Sequence, residues 1–133
     1  MSAPQDQAST ADTRTLVRPI HVWLDQNVNT DESNRITKEK LKGSVHRFEA
    51  FDNIDQCERF IERWSSRNIV FIVSGSLGRE ILPRIHLLPQ LLKCYVYCEN
   101  KQANEQWAQQ YFKIKGVFDS STDLIKVIAP YHC

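Results

Sequence analysis

The 133-residue sequence predicts an α/β domain built on a parallel sheet, and three observations carry that prediction. Short β-rich runs alternate with helical patterns along most of the chain, the order produced by parallel strands joined through crossover helices. One of those runs, Ile69-Val70-Phe71-Ile72-Val73, is apolar without interruption, as a strand buried on both faces must be. The chain is also long enough to bury one core without disulfide or metal staples.

The first strand is Ile20-His21-Val22-Trp23-Leu24, ending at Asp25. A polar stretch from Gln26 to Lys42 follows, in which Asn27, Asn29, Asp31 and Ser33 offer loop and N-cap chemistry before a weakly amphipathic helix around Ile36 and Leu41. Gly43 is expected to break that helix, and Val45-His46-Arg47-Phe48 alternates as a half-buried edge strand does. Asp52 and Asp55 form an acidic N-cap region for a helix in which Ile54, Cys57, Phe60, Ile61 and Trp64 recur at helical spacing.

After the central strand, Ser74-Gly75-Ser76-Leu77-Gly78 turns into a helical segment carrying Ile81, Leu82, Ile85 and Leu88, which Pro83 and Pro89 are expected to shorten or kink. Cys94-Tyr95-Val96-Tyr97-Cys98 is the fourth strand. Asn100 to Tyr111 reads as a polar helix with Trp107 and Tyr111 one turn apart, and Gly116-Val117-Phe118 as a short last strand. Asp119, Ser120 and Ser121 are N-cap candidates for a final helix with Leu124, Ile125 and Ile128. Five strands and five helices in this order predict a flavodoxin-like, receiver-like three-layer domain over residues 19–130, with strand order 2-1-3-4-5. Residues 1–18, rich in Ser, Thr, Ala, Gln and Asp, read as a flexible leader, and 131–133 as a tail.

Composition excludes several classes of function. With 41% hydrophobic residues, 25% charged, 4 Gly and 5 Pro, the chain is neither disordered nor fibrous. A net charge of +1 gives no electrostatic case for a nucleic-acid partner. The apolar runs are too short to span a membrane and the N-terminus lacks a signal core, so no membrane partner and a cytoplasmic location are expected. Cys57, Cys94, Cys98 and Cys133 form no disulfide pattern and read as buried reduced thiols. Cys94 and Cys98 lie roughly 13 Å apart along a strand, too far to share a metal ion.

In a sheet of this winding, ligands bind beyond the carboxyl ends of the strands, near the first and third. That rule nominates Asp25, Gln26 and Asn27, then Ser74, Gly75 and Ser76, then Glu99, Asn100 and Lys101, and finally Asp119. From these, Asp25, Asn27, Ser74, Gly75, Ser76 and Lys101 are the expected ligand-binding set. A phospho-accepting receiver needs an acidic pair after its first strand and an aspartate after its third, whereas here Gln26 follows Asp25 and Ser74 stands at the acceptor position. Phe118-Asp119 stands where a charge-neutralising lysine is expected. The Ser74 turn is of the kind that aims backbone N–H groups and a helix N-terminus at an anion, but it has neither the lysine of a nucleotide-triphosphate loop nor the three-glycine dinucleotide fingerprint.

No histidine is placed by sequence to act as a base for Ser74, since His21, His46, His86 and His132 are scattered over strand, edge strand, helix and tail. They contain no helical ligand pair, so no metal site and no cofactor is expected. Trp23, Trp64 and Trp107 read as core packing rather than a base-stacking platform.

Several motifs in this order carry a resemblance: Val22-Trp23-Leu24-Asp25-Gln26-Asn27-Val28-Asn29, Phe71-Ile72-Val73-Ser74-Gly75-Ser76-Leu77-Gly78, Pro83-Arg84-Ile85-His86, Tyr95-Val96-Tyr97-Cys98-Glu99-Asn100-Lys101 and Lys113-Ile114-Lys115-Gly116-Val117-Phe118. Over about residues 20 to 128 the chain resembles a receiver-like N-terminal domain of invertebrate multidomain proteins that carry tetratricopeptide repeats or a mono-ADP-ribosyltransferase domain. The resemblance implies a domain family and no activity, because neither repeats nor a transferase segment is present in these residues. The expectation is therefore a non-catalytic sensor or interaction module, binding a protein partner or a small anionic ligand, with a nucleotide-binding, NAD-binding or NAD-cleaving signalling domain as the alternative.

Overall fold

A computed structural model describes residues 17–129 and contains a five-stranded, all-parallel sheet in the order β2-β1-β3-β4-β5. The strands are β1 (Ile20–Leu24), β2 (Arg47–Phe51), β3 (Ile69–Val73), β4 (Leu91–Tyr97) and β5 (Ile114–Phe118). The helices are α1 (Glu32–Ser44), α2 (Ile54–Arg63), α3 (Gly75–Ile85), α4 (Lys101–Ala108) and α5 (Ser121–Ile128). This is the flavodoxin-like arrangement. Residues 1–16 and 130–133, which hold most of the expected leader, the tail, His132 and Cys133, lie outside the described residues.

Both faces of the sheet are covered, which is why β1 and β3 are buried at every position. Side chains alternate across a strand. Val22, Leu24, Phe71, Val73, Cys94 and Val96 therefore pack on one face with Cys57 and Ile61 of α2 and Ile81, Leu82 and Ile85 of α3. Trp23, Val70, Ile72 and Tyr95 face the other way, against Leu41 of α1 and Leu124 of α5. Cys57 and Cys94 are free thiols inside the first of these layers.

Several boundaries differ from the sequence expectation, each for a local reason. The Val45 N–H donates to the Leu41 carbonyl, so Val45 closes α1 and the edge strand starts at Arg47, with His46 outside it. Gly43 does not break α1: a Cβ there would meet nothing within 4 Å, and this exposed position tolerates glycine within the last turn. Asn53 rather than Asp52 caps α2, accepting from the Gln56 N–H. Helix α3 runs through Pro83 to Ile85, because a proline this near the end removes only the bond to the Arg79 carbonyl. Strand β4 starts at Leu91 because the Ile69 N–H pairs with the Gln90 carbonyl, and Leu92 is an extra residue in the ladder with β3. Helix α4 ends at Ala108, yet Tyr111 still meets Trp107 edge to face, with 6.2 Å between ring centroids.

Candidate functional site

The ladders bring the strand ends into line. The Asp25 N–H donates to the Phe51 carbonyl at 3.0 Å, the Ser74 N–H to the Leu24 carbonyl at 3.0 Å and the Cys98 N–H to the Phe118 carbonyl at 2.9 Å. Asp25, Asp52, Ser74, Cys98 and Asp119 therefore leave the sheet side by side, and above them opens a cleft of about 400 Å³.

Asp25 forms the floor. It is 9% exposed, and its Oδ1 accepts from the Asn27 N–H at 2.8 Å. Burial pushes its carboxyl above the ordinary value, the Asn27 N–H opposes that push, and the nearby charges of Asp31 and Glu99 add to it. The same turn uses the Asn27 carbonyl as acceptor for the Asp31 N–H at 3.0 Å and for Asn34 Nδ2 at 3.3 Å. Asp31 caps α1 by accepting from the Asn34 N–H at 3.1 Å, which holds its carboxyl below the usual range.

One wall is the start of α3. Ser74 caps it, its hydroxyl accepting from the Leu77 N–H at 3.4 Å, and Ser76 faces solvent. Gly75 has no positive φ, so backbone freedom does not explain the glycine. Close approach does. A Cβ on Gly75 would fall onto the Asn104 amide, against Oδ1 and 2.8 Å from Cγ, and a Cβ on Gly78 would lie 2.8 Å from the Trp107 ring. Asn104 is fixed between its neighbours, its Nδ2 donating to the Asn100 carbonyl at 2.8 Å and its Oδ1 accepting from Trp107 Nε1 at 2.8 Å. The two glycines therefore let α3 lie directly against the Asn104 and Trp107 side chains of α4.

Five of the six expected residues, Asp25, Asn27, Ser74, Gly75 and Ser76, line this cleft, together with Gln26, Glu99, Asn100 and Asp119 from the wider nomination. Lys101 does not. As the first residue of α4 it is exposed over an adjoining depression with Glu99, Gln102 and Glu105. Asn34, Tyr97, Cys98 and Asn104 also line the cleft and escaped the sequence argument. The signal for Asn104 was present, because Asn100, Asn104 and Trp107 follow one another at helical spacing.

The lining decides the chemistry. Asp25, Asp31, Glu99 and Asp119 contribute carboxylates, and amides, hydroxyls, Tyr97 and the Cys98 thiol supply the rest, without a lysine, arginine or histidine. His21 is buried in β1 with its pKa lowered to about 4, by desolvation first and by Lys93 second, while His86 caps the far end of α3. Neither reaches Ser74 as a base. Among the described residues, no group of three or more His, Cys, Asp or Glu side chains is arranged to hold a metal ion, and no helix is long and apolar enough to cross a membrane.

The fold and the cleft together define a class, a flavodoxin-like α/β domain with an acidic, amide-rich pocket at the strand ends. Comparison of the chain with known protein families, curated proteins and solved structures gave no match.

Proposed function

We propose that the chain is a cytoplasmic, non-catalytic, receiver-like interaction module whose strand-end cleft recognises basic groups of a protein partner. The observation that carries this reading is the lining itself: four carboxylates and an array of amide and hydroxyl groups, with no cationic side chain among them. A phosphate or nucleotide entering the cleft would meet like charge without a counter-charge, and its desolvation would go uncompensated. A lysine or arginine side chain would find both charge and acceptors. The small-anion and nucleotide readings are correspondingly disfavoured, with Lys101 outside the cleft.

Thermal unfolding in the presence of an oligo-arginine peptide, inorganic phosphate, ATP and NAD tests the proposal. A ligand at a hundred times its dissociation constant adds about 2.7 kcal/mol of stability. The expected result is a raised Tm with the peptide, lost in Glu99→Gln with Asp119→Asn, and no shift with the anions. A shift with ATP or NAD that Ser76→Ala reduces would overturn it.

A further inference from the structure

We infer that this domain binds a second copy of itself head to tail, the strand-end face of one copy seated on the opposite face of the next. The inference deepens the proposal that the cleft takes basic groups of a protein, and it names the partner.

All five strands are parallel and each helix returns antiparallel to them, so every helix N-terminus lies at one end of the molecule and every C-terminus at the other. Helix ends favour acids in the first turn and bases in the last. Here α1 has Glu32 and Lys42, α2 has Asp55 and Arg63, and α5 has Asp123 and Lys126 in those positions. Because the helices all point the same way, these local preferences add rather than cancel.

The loops extend the pattern. Asp31, Glu32, Asp52, Asp55, Glu99 and Asp119 lie at the carboxyl end of the sheet, all exposed. Arg18, Lys42, Arg63, Arg67, Lys113 and Lys126 lie at the amino end. The exceptions at the acidic end are Arg35, paired with Glu32 at 3.7 Å, Lys38, which donates to Asn29 Oδ1 at 2.9 Å, Arg79, which donates to the Ala103 carbonyl at 3.4 Å, and Lys101, and Asp55 there also pairs with Arg84 of α3 at 3.9 Å; at the basic end the exception is Glu62. A net charge of +1 over the chain thus conceals two faces of opposite sign.

Such a molecule complements a copy of itself in one sense only. Acidic face on acidic face and basic on basic both repel, which excludes a two-fold end-to-end pair, while acidic on basic attracts. The basic face also presents apolar surface. His86 meets Tyr111 with 5.1 Å between ring centroids, and Lys113 Nζ donates to the Leu88 carbonyl at 2.8 Å. These two contacts clasp the α3–β4 and α4–β5 loops together, and the residues between them, Leu87 and Phe112, stand 76% and 72% exposed. Charge gives the orientation and this pair gives area to withdraw from water.

Sedimentation velocity on the full chain, from micromolar to millimolar protein, is the test. The weight-average sedimentation coefficient should rise with concentration at about 0.01 M salt and stay flat at about 1 M, where the screening length has fallen from about 30 to about 3 Å. Two neutralised variants separate the faces: Arg18→Gln with Arg63→Gln and Lys126→Gln on one, and Asp52→Asn with Glu99→Gln and Asp119→Asn on the other. Each alone should remain a monomer once circular dichroism has established that it is folded. Mixed in equal amounts they should form a one-to-one dimer and nothing longer, because only one native interface remains. A wild-type monomer under all conditions, or association abolished by only one of the two variants, would overturn the stacking. An oligo-arginine peptide that still stabilises a monomeric wild type would leave the cleft proposal standing, so the two fail separately.

Discussion

Replacing Gly75 by alanine tests how the cleft wall is built. Where a helix has room for it, Gly→Ala stabilises by roughly 0.4–1 kcal/mol through the unfolded chain. Here the added Cβ would sit 2.8 Å from Asn104 Cγ and closer still to Oδ1. Asn104 cannot swing aside freely, because it is held by the Asn100 carbonyl and by Trp107 Nε1, both at 2.8 Å. Moving it means giving up those bonds, at about 0.5–1.5 kcal/mol each. The expected net loss is about 1–3 kcal/mol, the usual range for overpacking. Urea unfolding followed by tryptophan fluorescence measures it. Adding Asn104→Ala removes the obstacle, so the double variant should be more stable than the sum of the two single losses by about 1 kcal/mol or more. A Gly75→Ala protein as stable as wild type, or strictly additive losses, would refute the close-approach account of this glycine.

Three further predictions follow from burial and ionisation. Phe71→Ala, in the fully buried β3, should cost about 3–5 kcal/mol in urea unfolding, whereas Arg47→Ala on edge strand β2 should cost about 1 kcal/mol or less, since it removes a half-exposed pairing with Glu49 at 3.3 Å and a stack 4.6 Å over Trp64. His21 is neutral when folded and takes up a proton near pH 6.5 when unfolded, so its contribution is fully present above pH 6.5 and lost as pH falls towards about 4, by roughly 3 kcal/mol over that window. His21→Phe should flatten that slope relative to wild type, and equal slopes would mean that the imidazole is hydrated. In a Cys133→Ser background, a thiol reagent at mildly alkaline pH should modify Cys98 in the native protein, since it is only half-buried although burial pushes its thiol up as well, while Cys57 and Cys94 are inaccessible and react only on unfolding, burial pushing the Cys94 thiol up to about 12 and Cys57 higher still.

The fold was legible where one physical signal dominated. Ile69–Val73 could only be an interior strand, and the spacing of Ile54, Cys57 and Ile61 could only be a helix face turned to a core. Boundaries were less legible because adjacent residues offered equivalent chemistry. Asp52 and Asn53 are both capping types, and only the tertiary position of the Gln56 N–H selects Asn53. Val45 and His46 continue the alternation of β2 in sequence, yet Val45 is engaged by α1. Within the cleft, the strand-end rule located Asp25 and Ser74 because parallel register alone fixes them. Lys101, nominated by the same rule, lies one residue past the cap at Asn100 and lines the adjoining depression rather than the cleft.

The polar groups of the cleft divide into those engaged by the fold and those left for a partner. Ser74 accepts from the Leu77 N–H, Asp31 from the Asn34 N–H and Asn100 from the Ala103 N–H, each closing a helix whose first N–H groups have no partner within it. Removing such a cap costs about 1 kcal/mol, so these side chains hold their positions. A nucleophile or general base must exchange partners during a reaction, and a capping side chain that does so gives up its helix end. The exposed carboxylates of Glu99 and Asp119 and the hydroxyl of Ser76 carry no such duty among the described residues. They stand on a rim formed where the capped helices begin, presenting acceptors around the Asp25 carboxyl. On the proposed reading, a set of acceptors held at the end of a fully packed sheet would meet a donor-bearing, positively charged surface with little conformational freedom left to lose.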